Sequence, residues 1–300
     1  MIKVNNVEVE INRFPDGTLN LKANPFYDHE IVIITWNYHD DAEFLAVAFL
    51  TKFYQARNNK VNLYLPYVPN ARMDRVENAD NIFAMKYFGE LINSLGFESV
   101  WVMDVHSSVT NAVIKNCRII PVEPIITDVI HSITEKNDEE LLIFFPDEGA
   151  MKRYSKSIEE IPFAFGMKKR DWNTGNILGL DILGVEPEDI KGKTILIRDD
   201  ICSKGGTFYY AAKKLKEMGA GKIYLFVTHC ENSIHNGEFG DDKVNLCGTG
   251  LIEHVFTTDS TYSLGNSDWI SVIKTSLNNS NSAVIQQENT EENEEQEVSR

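Results

Sequence analysis

Cysteine is scarce in this chain of 300 residues: there are four, at 117, 202, 230 and 247, with no CxxC pair and no metal-ligand spacing among them. That excludes a thiolate zinc site and a disulfide framework, and the four read as reduced thiols of a cytoplasmic protein. Cys202 lies in a loop of interest, where a packing role is expected. Positive charge is also short. Lys and Arg number 29 against 45 Asp and Glu, a net charge of −16, which argues against a duplex-binding surface, so no nucleic-acid partner is expected. No apolar run approaches the roughly 18 residues of a membrane span. The opening MIKVNNVEVE has no apolar core of signal-peptide length, so neither a membrane nor an export route is expected.

What is present is a globular composition, 43% hydrophobic and 25% charged, with enough length for two domains. Residues 278–300 are polar and acidic and are expected to be a disordered tail. Ahead of them, short runs rich in Val, Ile and aromatics predict strands at 30–35, 60–65, 99–103, 141–145, 194–197 and 222–228. Helical patterns lie at 40–57, 81–95 and 208–218. This alternation predicts an α/β protein with mainly parallel sheets flanked by helices. The pattern restarts at 141, so the domains are expected at 1–140 and 141–277.

Ligands of open α/β sheets bind beyond the carboxyl ends of the strands, which directs attention to five stretches. Arg198-Asp199-Asp200-Ile201-Cys202-Ser203-Lys204-Gly205-Gly206-Thr207 follows one strand and opens a helix. Two carboxylates there can accept hydrogen bonds from ribose hydroxyls or hold Mg²⁺ through water. Glycines at the helix entrance let N–H groups approach a phosphate, which the helix dipole favours. Thr207 adds a hydroxyl and Lys204 a point charge; an ordinary capped turn is the plain alternative. Asp104-Val105-His106 and Pro146-Asp147-Glu148-Gly149 end two other strands. His106 suits a metal, a phosphate or a structural role, and Asp147 suits a metal bridging nucleotide phosphates. Pro66–Arg75 carries Arg72 and Arg75 around Asp74. Arginine there can fork onto phosphate or stack on a purine, unless local Arg–Asp pairing is its whole role. Gly166–Asn173 holds Lys168, Lys169 and Arg170 in a stretch of weak periodicity. It reads as a mobile loop able to close over a polyphosphate, or else as a solvated charge run.

The order of these stretches resembles one family, the ribose-phosphate pyrophosphokinases. Tyr67–Arg75 is similar to their PYxxxARxDR, and Asp104-Val105-His106 to their DLH. Phe145-Pro146-Asp147-Glu148-Gly149 through Arg153 is similar to their SPDxGGxxRA, and Lys168-Lys169-Arg170 to their KxR. The stretch at 199–207 is similar to their DDxxDTGGT, Phe14–Gly17 to the start of FxDGE, and Thr228-His229 and Thr257–Asp259 to late segments. The likeness runs from about residue 13 to 275.

The resemblance implies two phosphoribosyltransferase-like domains with the site between them, and assembly into a homo-oligomer, a dimer or hexamer. It implies Mg²⁺ and ATP, with transfer of the β,γ-diphosphoryl group of ATP to the anomeric hydroxyl of ribose 5-phosphate and release of AMP. Carried over residue by residue, His106 and Asp147 would hold the metal, and Arg72, Asp74 and His106 would line the ATP. Asp199 and Asp200 would face the ribose hydroxyls, and Ser203, Lys204, Gly205, Gly206 and Thr207 would wrap the sugar phosphate. Lys168 and Arg170 would be the catalytic cations. Ser203-Lys204 stands where the family has an acid and a threonine, and Arg198 where it has an apolar residue. These changes leave the acceptor end about three charges more positive under ordinary ionisation. A longer anion such as ADP-ribose, as in a route to NAD, is therefore an alternative acceptor. A catalytically silent partner subunit is a further alternative. A base-attaching phosphoribosyltransferase would share the acidic pair and glycines without needing the Arg72–Arg75 or Lys168–Arg170 stretches.

Overall fold

Runs of Val, Ile, Leu and Phe that are apolar on both sides must be covered on both sides, and the computed structural model arranges them as two mainly parallel sheets. It describes residues 1–24, 31–135, 140–158, 161–170 and 177–275, with the backbone alone at 168–170 and 177–179. The expected tail at 278–300 lies outside the described residues. The chain divides into one unit of Met1–Ile120 with Thr275 and another of Pro121–Lys274.

The first unit opens with β1 (Ile2–Val4) and β2 (Val7–Glu8), then the hairpin of β3 (Ile11–Arg13) and β4 (Leu19–Leu21). There follow β5 (Ile31–Trp36), α1 (Glu43–Gln55), β6 (Lys60–Leu65), α2 (Ala84–Leu95), β7 (Val100–Met103), α3 (Val109–Val113) and β8 (Cys117–Ile120). The sheet order is β2-β1-β5-β6-β7-β8, parallel from β5 to β8. Ala46, Val47, Leu50 and Tyr54 of α1 and Met85, Phe88 and Ile92 of α2 recur at helical spacing and close one core against Val32, Ile34, Leu63 and Val102. Gly89 lies so close to α3 that a Cβ would stand 2.9 Å from Val113 Cγ2.

The second unit begins with α4 (Glu123–Thr134) and β9 (Leu141–Phe145), then α5 (Glu148–Tyr154), β10 (Phe163–Arg170), β11 (Ile177–Leu183) and α6 (Pro187–Ile190). It ends with β12 (Thr194–Cys202), α7 (Gly206–Glu217), β13 (Ile223–Cys230), β14 (His254–Thr258) and β15 (Ile270–Ile273). The order is β11-β10-β9-β12-β13-β14-β15, and β10–β11 is its antiparallel pair. Side-chain alternation sends Ile195 and Ile197 to the face covered by α7, and Leu196 to the face where α4 packs Ile126, Val129 and Ile133.

Two expectations change. Strand β12 does not stop at Ile197 but pairs with β13 as far as Cys202–Cys230, so Asp199 and Asp200 sit on the strand itself. The stretch expected as a loop at 166–173 is strand as far as Arg170, because its backbone bonds with β11 from Phe165–Leu183 to Arg170–Ile177.

Candidate functional site

The first unit carries its candidate residues at the carboxyl ends of the neighbours β6 and β7. Beyond β6 the chain turns at Asn70, whose φ is 62°, and Met73 N–H donates to the Asn70 carbonyl at 2.8 Å. Buried Val68 and Ala71 fix this turn to the core, leaving Arg72 exposed and Asp74 half-buried. Arg75 Nε lies 3.0 Å from Asp74 Oδ1, but its side chain is 69% exposed, so the pair is screened and contributes little stability. Burial pushes the Asp74 carboxyl up. Hydrogen bonds from Ser107 and Arg75, with the pull of Arg75 and His106, outweigh burial and hold the carboxyl below the usual range. The Ser107 contact joins this turn to the end of β7, where His106 is half-buried. The structure therefore ties the Arg72–Asp74 stretch to the His106 stretch. Asp104, which opens the latter, is buried at φ 43°, a left-handed position that costs a non-glycine residue about 1–2 kcal/mol.

In the second unit the chemistry gathers on β9, β12 and the helices they feed. Asp147 caps α5, its Oδ1 accepting the Ala150 N–H at 3.0 Å. Strand β10 passes so near this turn that a Cβ on Gly166 would lie 2.7 Å from the Pro146 carbonyl oxygen. From α5, Arg153 donates from one terminal nitrogen to Asp200 Oδ1 at 2.6 Å and Asp199 Oδ1 at 3.3 Å. Asp199 Oδ1 also accepts the Asp200 N–H at 2.9 Å. Burial, then the neighbouring Asp200 carboxylate, push the Asp199 carboxyl well up, and Arg153 opposes that rise.

Arg198 departs from the expectation that it adds charge to the acceptor end. Its side chain is buried on the α5 side, 4.0 Å over the Tyr154 ring, and donates to Ser157 Oγ at 3.0 Å. Alternation along β12 turns it into the sheet face, and the expected three-charge excess loses one member.

Beyond Cys202 the chain passes through Ser203 and exposed Lys204 to Gly205, which precedes α7 with φ 94°. A Cβ there would stand 3.0 Å from Leu246 Cδ2, so glycine meets both the backbone angle and the close packing. Gly206 begins the helix and Thr207 is exposed at its first turn, an arrangement that points N–H groups at an anion. Ser203 Oγ is 3.1 Å from Ser233 Oγ, which donates to Glu231 Oε2 at 3.0 Å. Cys202 is buried beside Cys230; its hydrogen bond to that thiol and its burial push it well up, in keeping with packing.

Lys168 and Arg170 have their backbone on β10, opposite Leu180 and Ile177; their side chains lie outside the described residues. Among the described residues no three His, Cys, Asp or Glu side chains converge as a ready metal cage. No helix among them is long and apolar enough to cross a membrane.

The sequence reading assigned no role to Arg153, Glu231 or Ser233. For Arg153 a signal existed: two adjacent carboxylates at a buried strand end require a cation. Ser233 stands 30 residues from Ser203, and no local pattern announces that contact.

Comparison with known proteins gives the same direction as the site. No family model matches the sequence. The chain is 29% identical over 230 residues to the ribose-phosphate pyrophosphokinase of Thermococcus kodakarensis, covering 74% of this chain and 78% of that one. It is 29% identical over 231 residues to the protein of the same name from Pyrococcus abyssi, covering 75% and 77%. Among solved structures, phosphoribosylpyrophosphate synthetase from Mycobacterium smegmatis superposes with a TM-score of 0.70 over 93% of this chain and 91% of its own, at 18% identity. That last likeness speaks for the fold. The chain is a homologue of the ribose-phosphate pyrophosphokinases and has the fold of a phosphoribosylpyrophosphate synthetase.

Proposed function

We propose that this protein transfers the β,γ-diphosphoryl group of ATP to the anomeric hydroxyl of ribose 5-phosphate and releases AMP. The observation that carries the reading is the carboxylate pair Asp199–Asp200, clamped by Arg153, with Asp200 five residues before Gly205 at a glycine-lined helix entrance. In that arrangement the carboxylates accept from neighbouring ribose hydroxyls while Gly205, Gly206, Thr207 and Lys204 receive the sugar phosphate. The names of the relatives at 29% identity support the same chemistry.

In the reaction the anomeric oxygen forms a bond to the β-phosphorus. The bond from that phosphorus to the oxygen bridging the α-phosphate breaks, and AMP leaves with that oxygen. The anomeric proton passes to solvent. Arg72, Asp74 and His106 are assigned to ATP, and Lys168 and Arg170 to the charge on the transferring group.

Magnesium is the proposed metal: the Asp147 carboxylate is the kind of oxygen donor this ion takes, and His106 is the second proposed ligand. With no larger cluster of acidic, His or Cys side chains among the described residues, phosphate oxygens and water would fill the other positions, as this ion prefers. When bound, it would neutralise charge on the triphosphate.

ADP-ribose is the second acceptor reading, and exposed Lys204 is the observation that favours it. It is weaker than the sequence alone implied, because Arg198 is spent on Tyr154 and Ser157 and Glu231 stands behind Ser203. Product mass decides: purified protein with ATP and Mg²⁺ is given ribose 5-phosphate or ADP-ribose, and a phosphoribosyl diphosphate with equimolar AMP is expected from the first. Faster turnover of ADP-ribose selects the second acceptor. No AMP with either leaves the silent-subunit reading. Assembly as a homo-oligomer belongs to the proposal and is read by sedimentation.

A further inference from the structure

The segment after β13 is built onto the loop before α7. The Glu231 N–H donates to the Cys202 carbonyl at 2.8 Å. Six residues on, Gly237 lies so close that a Cβ would stand 2.5 Å from the Lys204 carbonyl oxygen. Between these two backbone approaches the 3-10 turn Asn232–Asn236 presents Ser233 to both Glu231 and Ser203. The spacing of the two hydroxyls and the carboxylate is thus held by backbone packing and does not depend on one rotamer.

Proton counting then gives the chain a direction. An ionised carboxylate only accepts, so the single Ser233 proton goes to Glu231. Ser233 Oγ can still accept, and at 3.1 Å its partner Ser203 must be the donor. The Ser203 proton is therefore turned away from the helix entrance, and what its oxygen offers there is lone pairs. The dianionic phosphate ester of a sugar offers only acceptors and cannot use them. A sugar hydroxyl can.

We propose that Glu231, acting through Ser233, orients Ser203 to accept a hydrogen bond from a hydroxyl of the acceptor sugar, leaving the phosphate to Lys204, Gly205, Gly206 and Thr207. This rests on the diphosphoryl-transfer reading and refines its sugar site: Ser203 reads the hydroxyl end, and Glu231 is a positioning residue. The three groups do together what one carboxylate at residue 203 would do.

The test compares E231A, E231Q, S233A and S203A, after melting curves establish folding. The KM for ribose 5-phosphate is expected to rise about 3- to 10-fold in E231A, S233A and S203A, the size of one neutral hydrogen bond, with the KM for ATP unchanged. The E231A/S203A double variant is expected to lose no more than either single variant. E231Q retains an oxygen for Ser233 and is expected to recover most of the loss. Sulfate, an anion with acceptors only, used as a competitor against the sugar, is expected to bind E231A as well as or better than the wild type, because Ser203 can then donate to it. A general loosening of the loop would weaken both ligands. Equal losses in E231Q and E231A, a parallel rise for ATP, or weaker sulfate competition in E231A and S233A each overturn the assignment. If E231A fails to fold, S233A carries the comparison. If the wild type releases no AMP, the diphosphoryl-transfer reading fails by itself. Ribose 5-phosphate titrated calorimetrically into the same variants then decides the orientation: the same ranking supports it, and equal or absent binding refutes it.

Discussion

Replacing Arg153 by leucine removes the cation that holds the acidic pair. The guanidinium is 2.6 Å from Asp200 and 3.3 Å from Asp199, and the three side chains are 27%, 2% and 15% exposed respectively. Removing one partner of a buried ion pair costs about 3–5 kcal/mol, because the remaining charge is left without compensation. The partly exposed arginine places the expected loss toward the lower end of that range. The loss must also depend on pH. Burial and Asp200 already raise the Asp199 carboxyl, and Arg153 is what lowers it. Without Arg153 the folded-state value rises further above the unfolded one. Between the two the native state holds more protons than the unfolded state, so stability falls as pH rises. The deficit of R153L against wild type is therefore small at acid pH, grows through the carboxyl range and levels off above the raised value. Urea titrations followed by tryptophan fluorescence and circular dichroism between pH 5 and 8 measure it. R153K keeps a charge without the planar fork and should fall between. A deficit under about 1 kcal/mol at pH 8, or one that does not change with pH, would refute the clamp.

Other outcomes follow from single contacts. Lys168→Ala is expected to lower kcat by orders of magnitude with little change in nucleotide affinity, checked by steady-state rates beside equilibrium nucleotide binding; surviving turnover would remove its role. Gly205→Ala must place a side chain at φ 94° and 3.0 Å from Leu246, which should lower stability by about 1–2 kcal/mol and raise the KM for the sugar but not for ATP. Gly166→Val drives a branched carbon into the Pro146 carbonyl, and its expected cost of about 1–3 kcal/mol should appear as a lower Tm with weaker Mg²⁺–ATP binding. Buried Cys202 and Cys230 should resist an aromatic disulfide reagent in the native protein at pH 8 and react once urea is added; rapid native labelling of Cys202 would show the loop to be open.

The parallel strands were legible because burial on both faces leaves a run of apolar residues that nothing else in the chain mimics. Lys60–Leu65 and Leu141–Phe145 fall where those runs predict. Strand β12 was read short because its last five residues, Arg198–Cys202, hold three charged side chains. Composition argues against burial there, but the partner strand β13 and Arg153 satisfy the backbone and the charge. Strand β10 was missed for a related reason: Lys168-Lys169-Arg170 hides the period, and its pairing comes from β11, whose first residue follows seven positions after Arg170. The candidate residues were picked out by type, as carboxylates, glycines and arginines at strand ends, and Arg198 shows that such a residue can serve packing instead. Their mutual arrangement was not legible. Asp74 with Ser107, Arg153 with Asp199 and Asp200, and Ser203 with Ser233 are contacts across 30 residues or more, and no spacing rule reaches that far.

Charge at the acceptor end shows why type without arrangement misleads. Read along the chain, Arg198, Lys204 and the serine at 203 each make that end more positive, and a longer anion follows as the ligand. Folded, Arg198 is buried, stacked on Tyr154 and bonded to Ser157. Behind Ser203 an acid does stand, Glu231, reached through the Ser233 hydroxyl. Only Lys204 remains, exposed at the entrance, where solvent screens a single charge and weakens its hold on any one anion. A ligand with one phosphate and a set of hydroxyls satisfies that residue, the helix entrance and the two carboxylates together. A second phosphate would meet no further cation among Ser203–Thr207. Selectivity at this end should then follow hydroxyls more than charge. If so, substituting Lys204 by methionine should weaken ribose 5-phosphate and inorganic phosphate by similar factors, whereas a selective loss of ADP-ribose would return the argument to the longer anion.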